Sequence, residues 1–183
     1  MNRVAVFLET HMPACVRKRA LWVLFRATAR AFDRPAPSLA GLSADECLHR
    51  YAQFTQGQVA ELLQDGDDLP AVQERLYRNA YELGRACRRV SRIRTVEDAM
   101  ALARVLYRLL DIEFQGDEGG DVVISRCYFS RFYSGQVCQV MSAMDRGLLA
   151  GLSGGRQLVF FTRITEGQAW CRAHLNVQGD KWR

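Results

Sequence analysis

The sequence predicts an α+β fold, a helical N-terminal half packed on an antiparallel sheet of about four strands. Three observations carry this. Residues 1–110 place apolar side chains at helical spacing between proline and cap signals. Residues 111–183 turn to short alternating runs around glycine-rich turns. One further helical stretch separates two such runs, giving a hairpin–helix–hairpin. At 183 residues, the chain has the length of one ordinary domain, and 1–183 reads as a single one.

Ala14 to Phe32 opens the helical half and is stopped by Pro35-Ala-Pro37, which cannot continue a helix. Ser43-Ala-Asp-Glu46 fits a capping box, a hydroxyl followed three residues later by a glutamate. The helix it opens should run to about Leu63 and end at Asp65-Gly-Asp-Asp68. Pro70 suits the first turn of the next helix, whose Val72, Leu76, Ala80, Leu83, Cys87 and Val90 keep one face apolar. Thr95-Val-Glu-Asp98 caps another helix, with Val96, Met100, Ala103, Leu106, Tyr107 and Leu110 as its stripe. Asp111–Gln115 and Asp121–Cys127 flank Gly116-Asp-Glu-Gly-Gly120 as a hairpin. A helix from about Phe132 to Leu149 follows, ended by Gly151 and Gly154-Gly155. Leu158–Thr165 and Ala169–Val177 form the second hairpin around Glu166-Gly167. In the last strand Ala169, Cys171, Ala173, Leu175 and Val177 share one side, and Trp170, Arg172, His174 and Asn176 the other.

Composition excludes several classes. Hydrophobic residues are 49% and charged residues 25%, so the chain is neither disordered nor fibrous. The six cysteines include no Cys-x-x-Cys pair, against zinc ribbons, fingers and thioredoxin-type redox motifs. No Walker loop, Gly-x-Gly-x-x-Gly or His-Glu-x-x-His motif is present. The net charge of +5 is nearly all arginine, concentrated between Arg75 and Arg94. A solvated helical face is the simpler reading of that run, and a docking patch for an anionic partner the alternative. Nucleic acid is not expected, because no aromatic interleaving or helix-turn-helix signal accompanies the arginines. No run reaches the roughly 18 apolar residues that span a bilayer. Val4-Ala-Val-Phe-Leu8 is shorter than a signal-peptide core, with Glu9 and His11 directly after it. Ala20-Leu-Trp-Val-Leu-Phe25, flanked by Arg17, Lys18, Arg19 and Arg26, reads as a core helix or, second, as one lying on a membrane surface. The cytoplasm is the expected compartment. Whether the chain forms a homodimer is left open.

The residues able to carry chemistry gather in the C-terminal half. Cys127 ends a strand, Cys138 and Asp145 lie on the next helix, and Cys171 is on the last strand. Offsets of three, four and seven put Cys138, Met141 and Asp145 on one helical face. A buried acid there needs a partner or a function. It can accept backbone N–H groups or pair with an arginine such as Arg163, or it can serve as a general base or metal ligand. Cys171 reads first as a core residue. Zinc held by Cys127, Cys138 and Asp145 or Cys171 has little support from spacings this irregular, and no cofactor is expected. Nucleophilic cysteine chemistry needs a nearby base, and of the three histidines His174 lies on the opposite face of its strand from Cys171. Tyr128, Phe129, Phe132, Tyr133, Phe160 and Phe161 are aromatic candidates for core or cavity wall.

From Leu83 to Leu175, about half of the chain, the order of features resembles a known family. A helix containing Leu83-Gly84, the Thr95-Val-Glu-Asp98 helix and a hairpin lead to Cys127; then come Cys138, Asp145 and Gly147, and a closing Thr162-Arg-Ile-Thr-Glu-Gly-Gln-Ala-Trp-Cys171. This resembles the L-2-amino-thiazoline-4-carboxylic acid hydrolase family and, more remotely, the vinyl-reductase-type small-molecule-binding domain. Gly167-Gln-Ala-Trp-Cys171 is the pattern that both share, and Cys127-Tyr128 stands where the first family has Cys-Pro. The resemblance implies an internal pocket for a small organic ligand and, in the hydrolase, opening of a thiazoline ring by water. It implies Cys138, Asp145 and Cys127 as catalytic candidates, with Arg163, Glu166, Cys171 and Tyr128 near the substrate. Two readings stay open: a hydrolase acting on a cyclic C=N bond, and a non-catalytic small-molecule-binding or protein-interaction module. An enzyme should place Cys138 or Cys127 in a cavity beside Asp145; a module should bury all three behind aromatic rings.

Overall fold

The computed structural model describes residues 13–65 and 68–176. Val4–Leu8, Glu9, His11, Gly66, Asp67 and Val177, all used above, lie outside the described residues. Among the described residues, five α-helices pack against a four-stranded antiparallel sheet. They are α1 (Ala14–Ala31), α2 (Ala44–Asp65), α3 (Leu69–Ser91), α4 (Val96–Leu109) and α5 (Gly135–Ser153). The strands are β1 (Ile112–Gly116), β2 (Asp121–Cys127), β3 (Gln157–Thr162) and β4 (Cys171–Asn176), in the order β1-β2-β4-β3. Short 3-10 turns at Tyr128–Arg131 and Ile164–Glu166 follow β2 and β3.

The caps behave as their chemistry requires. Ser43 N–H donates to Glu46 at 2.7 Å while Glu46 N–H donates to the Ser43 hydroxyl at 3.3 Å, opening α2. Asp68 accepts from Ala71 N–H at the start of α3, and Thr95 and Asp98 form a full capping box on α4. The C-terminal helix begins later than its apolar pattern suggests. Residues 128–131 take up a 3-10 turn, and Ser134, accepting from Val137 N–H, sets the start of α5 at Gly135. It also ends later: Gly154, at φ 86°, closes it, and Gly151 lies buried within it.

Gly151 is therefore no helix stop; it permits a close approach. Helices α3 and α5 run side by side in parallel, with Tyr77 opposite Gly147, Tyr81 opposite Gly151 and Arg88 opposite Gly154. A Cβ on Gly147 or Gly151 would fall on the Tyr77 or Tyr81 carbonyl oxygen, and one on Gly84 would fall on that of Leu148. The pairing also explains Val90, which the stripe of α3 assigns to its apolar face but which is 84% exposed. Its partner helix has already ended opposite Arg88, so the stripe runs on with nothing to cover it. The helix stops at Ser91, leaving Arg92 left-handed and Arg94 outside it.

The sheet turns Ile112, Phe114, Val122, Ile124, Leu158, Ala173 and Leu175 inward, where one core joins them to all five helices. β4 alternates as predicted from Cys171, buried, to Asn176. Trp170 and Ala169 precede the strand and are exposed. This places the ends of β2, β3 and β4 beside α4 and α5, where the candidate residues meet. Among the described residues, no helix is long and apolar enough to cross a membrane.

Candidate functional site

A cavity of about 120 Å³ lies between the sheet and the helices. Cys127, Cys138, Asp145, Arg163 and Cys171 all line it, although 44 positions of sequence separate the first from the last. Each arrives by a different element: Cys127 at the end of β2, Cys138 and Asp145 two turns apart on α5, Arg163 just after β3, and Cys171 at the start of β4. The volume is near that of engineered apolar cavities that admit benzene. It suits one five- or six-membered ring with short substituents.

Two of the predicted residues lie elsewhere. Glu166 is outside the cavity wall, ion-paired with Arg163 at 3.5 Å and accepting from the Gln139 amide at 3.0 Å. Tyr128 is carried outward by the 3-10 turn, packing on Phe129 and Phe132 with its hydroxyl 3.4 Å from His49 Nδ1. Of the aromatic set, Phe129, Tyr133 and Phe160 line the cavity, while Phe161 is 54% exposed. His174 pairs with Asp121, away from Cys171.

Asp145 accepts a 2.7 Å hydrogen bond from the Tyr107 hydroxyl, neither of the expected backbone or arginine contacts. By surface area it is only half-buried, because the cavity leaves it free space. It nonetheless lies deep in the protein, and that depth governs its charge. Desolvation raises its pKa to about 6, opposed by the Tyr107 hydrogen bond and by the more distant charges of Arg163 and Arg146. Tyr107 itself is fully buried and stacked on Phe114, and desolvation together with the Asp145 charge keeps its phenol neutral.

The thiols are pushed the other way from reactivity. Desolvation raises Cys127 to about 12 and Cys138 to about 11, and raises Cys171 as well. At neutral pH all three are thiols, not thiolates, and Cys171 Sγ accepts from Ile164 N–H at 3.4 Å. Among the described residues, no group of three or more His, Cys, Asp or Glu side chains is arranged to hold a metal ion.

Arg163 and Thr165 line the cavity, but two of their polar atoms are turned away from its open space. Arg163 Nε and Thr165 Oγ1 are buried without a hydrogen-bond partner. The Thr165 hydroxyl is near enough to Cys138 to favour its thiolate slightly, but the contact lacks hydrogen-bond geometry. The Arg163 guanidinium lies over the Phe160 ring, 4.8 Å from its centroid, which fixes its plane against the wall.

Sequence reasoning missed Tyr107 and Thr165 as site residues. Tyr107 stood in the apolar stripe of α4, yet a buried phenol seeks an acceptor, and Asp145 was the one acid expected inside. Nothing in the sequence marks Thr165. A larger cleft of about 870 Å³ runs along β1, but Arg126 there is already paired with Asp111 and Glu113. Compared with models of known protein families and with curated proteins, the chain matches none.

Proposed function

We propose that the protein binds a small ring-shaped organic acid in the internal cavity and opens it by adding water across a cyclic C=N bond, with Asp145 as general base. The observation that carries this reading is a carboxylate with a pKa of about 6, oriented by Tyr107, in a cavity the size of one ring. A base poised near neutrality is ionised for part of the population and basic enough to take a proton from water.

The chemistry balances without a covalent intermediate. Asp145 takes one proton from water, and the water oxygen bonds to the ring carbon of the C=N group. The ring nitrogen takes up a proton from solvent as the C=N π bond is lost. The carbon–sulfur bond then breaks as the added hydroxyl gives up its proton to solvent, offsetting the one taken up by the ring nitrogen, and the proton held by Asp145 passes to the departing sulfur, leaving an open-chain thiol and a new C=O group. Arg163, a cation on the cavity wall, suits a carboxylate on the ring. Cys138 and Cys127, held as thiols, shape the cavity rather than act as nucleophiles.

The non-catalytic reading has its own support in the lining, in which apolar side chains such as Leu83, Leu110, Ile124 and Met141 outnumber polar ones. Calorimetric titration with 2-amino-thiazoline-4-carboxylate, followed by mass spectrometry of the recovered ligand, separates the two. The hydrolase reading expects binding and a gain of one water, with the gain lost in Asp145→Asn. Binding without turnover favours the module, and absence of binding removes this ligand class. All six cysteines are free, which fits a reducing compartment such as the cytoplasm.

A further inference from the structure

Among the described residues, the outer face of α1 carries more exposed large apolar side chains than any other helix or strand. Three of the seven large hydrophobic side chains left exposed, Val16 (42%), Trp22 (46%) and Val23 (39%), lie on this one helix. At 100° per residue they share a side with Arg19, Arg26 and Arg30, all exposed, while Leu21, Phe25, Thr28 and Ala29 face the core. Arg26 lies over the Trp22 ring, 4.6 Å from its centroid, so cation and indole occupy the same patch. Arg17 is turned aside and already used, donating to the Leu109 carbonyl and pairing with Asp45. Among the described residues walling the two grooves on this side, Asp33 is the one acid.

We propose that this face docks on an anionic lipid bilayer, lying in the headgroup plane. Arginines on the patch meet lipid phosphates, Trp22 sits at the depth that indoles prefer, and Val16 and Val23 reach the acyl boundary. Charge complementarity selects an anionic partner, and the interleaved valines and tryptophan select a lipid surface over nucleic acid, whose backbone offers nothing apolar to cover them. The helix is docked on the core by its other face, so it needs no refolding to bind. The attachment is peripheral and independent of the cavity's chemistry.

The test is co-sedimentation of the full chain with vesicles of phosphatidylcholine alone and with part of it replaced by phosphatidylglycerol. Binding to the anionic vesicles only, weakened by added salt, is the expected result. Each arginine near an anionic surface is worth about fivefold in partition, so Arg19→Gln/Arg26→Gln/Arg30→Gln should weaken binding on the order of 100-fold. Trp22→Ser should weaken it further and remove the blue shift of tryptophan fluorescence on binding. The substituted side chains are exposed, and an unchanged melting curve shows that the fold is kept. Equal binding to both vesicle types, or full binding by the triple variant, overturns the proposal. So does retention on a polynucleotide with no binding to vesicles.

Discussion

Replacing Asp145 by asparagine should make the protein more stable at neutral pH. The carboxyl has a pKa of about 6 in the folded chain, against 3.8 as its ordinary value. The folded state therefore holds this proton more tightly than the unfolded state does. Below the unfolded value both states are protonated and the group costs nothing. As pH rises through the window from about 4 to about 6, the unfolded chain ionises first and stability falls. Above about 6 the full penalty is present. Two pKa units at about 1.4 kcal/mol each give roughly 3 kcal/mol. Asparagine keeps an acceptor for Tyr107 without the charge, so Asp145→Asn should gain about 2 to 3 kcal/mol at neutral pH and little at the acid end. Urea denaturation of both proteins at each end of the window measures this, and the wild type alone should lose stability across it. Equal destabilisation of the variant at both ends would refute the reasoning, because the carboxylate would then be a net stabilising partner rather than a desolvated charge.

Other consequences follow from the same site and its support. Tyr107→Phe removes the donor that holds the Asp145 pKa down, so that carboxyl should titrate at a higher pH still; carboxyl-carbon NMR against the Asp145→Asn protein reads the shift, and an unchanged titration contradicts it. Gly147→Ala pushes a methyl group onto the Tyr77 carbonyl in the α3–α5 contact and should cost about 1 to 3 kcal/mol in chemical denaturation, where a neutral result would mean that the helices can separate freely. A thiol reagent at neutral pH should label exposed Cys15 quickly and Cys127 and Cys138 slowly, as peptide mapping of timed samples can show; fast labelling of Cys138 would restore it as a nucleophile.

Much of this architecture is written locally. Ser43, Thr95 and the glycine-rich turn after β1 act within a few residues of themselves, so the elements they bound could be read directly. Helix offsets made the shared face of Cys138 and Asp145 legible; that Cys127 and Cys171 join them follows from the antiparallel pairing of β2 with β4. What could not be read depends on how elements meet. Gly151 reads as a helix ending until α3 is seen pressed against it. Val90 fits its stripe, and only the length of the partner helix leaves it exposed. Tyr128 and Glu166 are neighbours of site residues in sequence, but 3-10 turns swing them away from the cavity. Thr165 remains invisible for the same reason: its value lies in an orphaned hydroxyl, a property of the packed cavity rather than of a motif.

The central claim is that Asp145 activates water on a ring held in the cavity. Its most direct test is the rate of free-thiol release from 2-amino-thiazoline-4-carboxylate as a function of pH, measured on wild type and Asp145→Asn. Release by the wild type that rises as pH passes through about 6 and then levels, with none from the variant, is the predicted result. Release that is independent of pH across that range, or that survives in Asp145→Asn, would contradict the account.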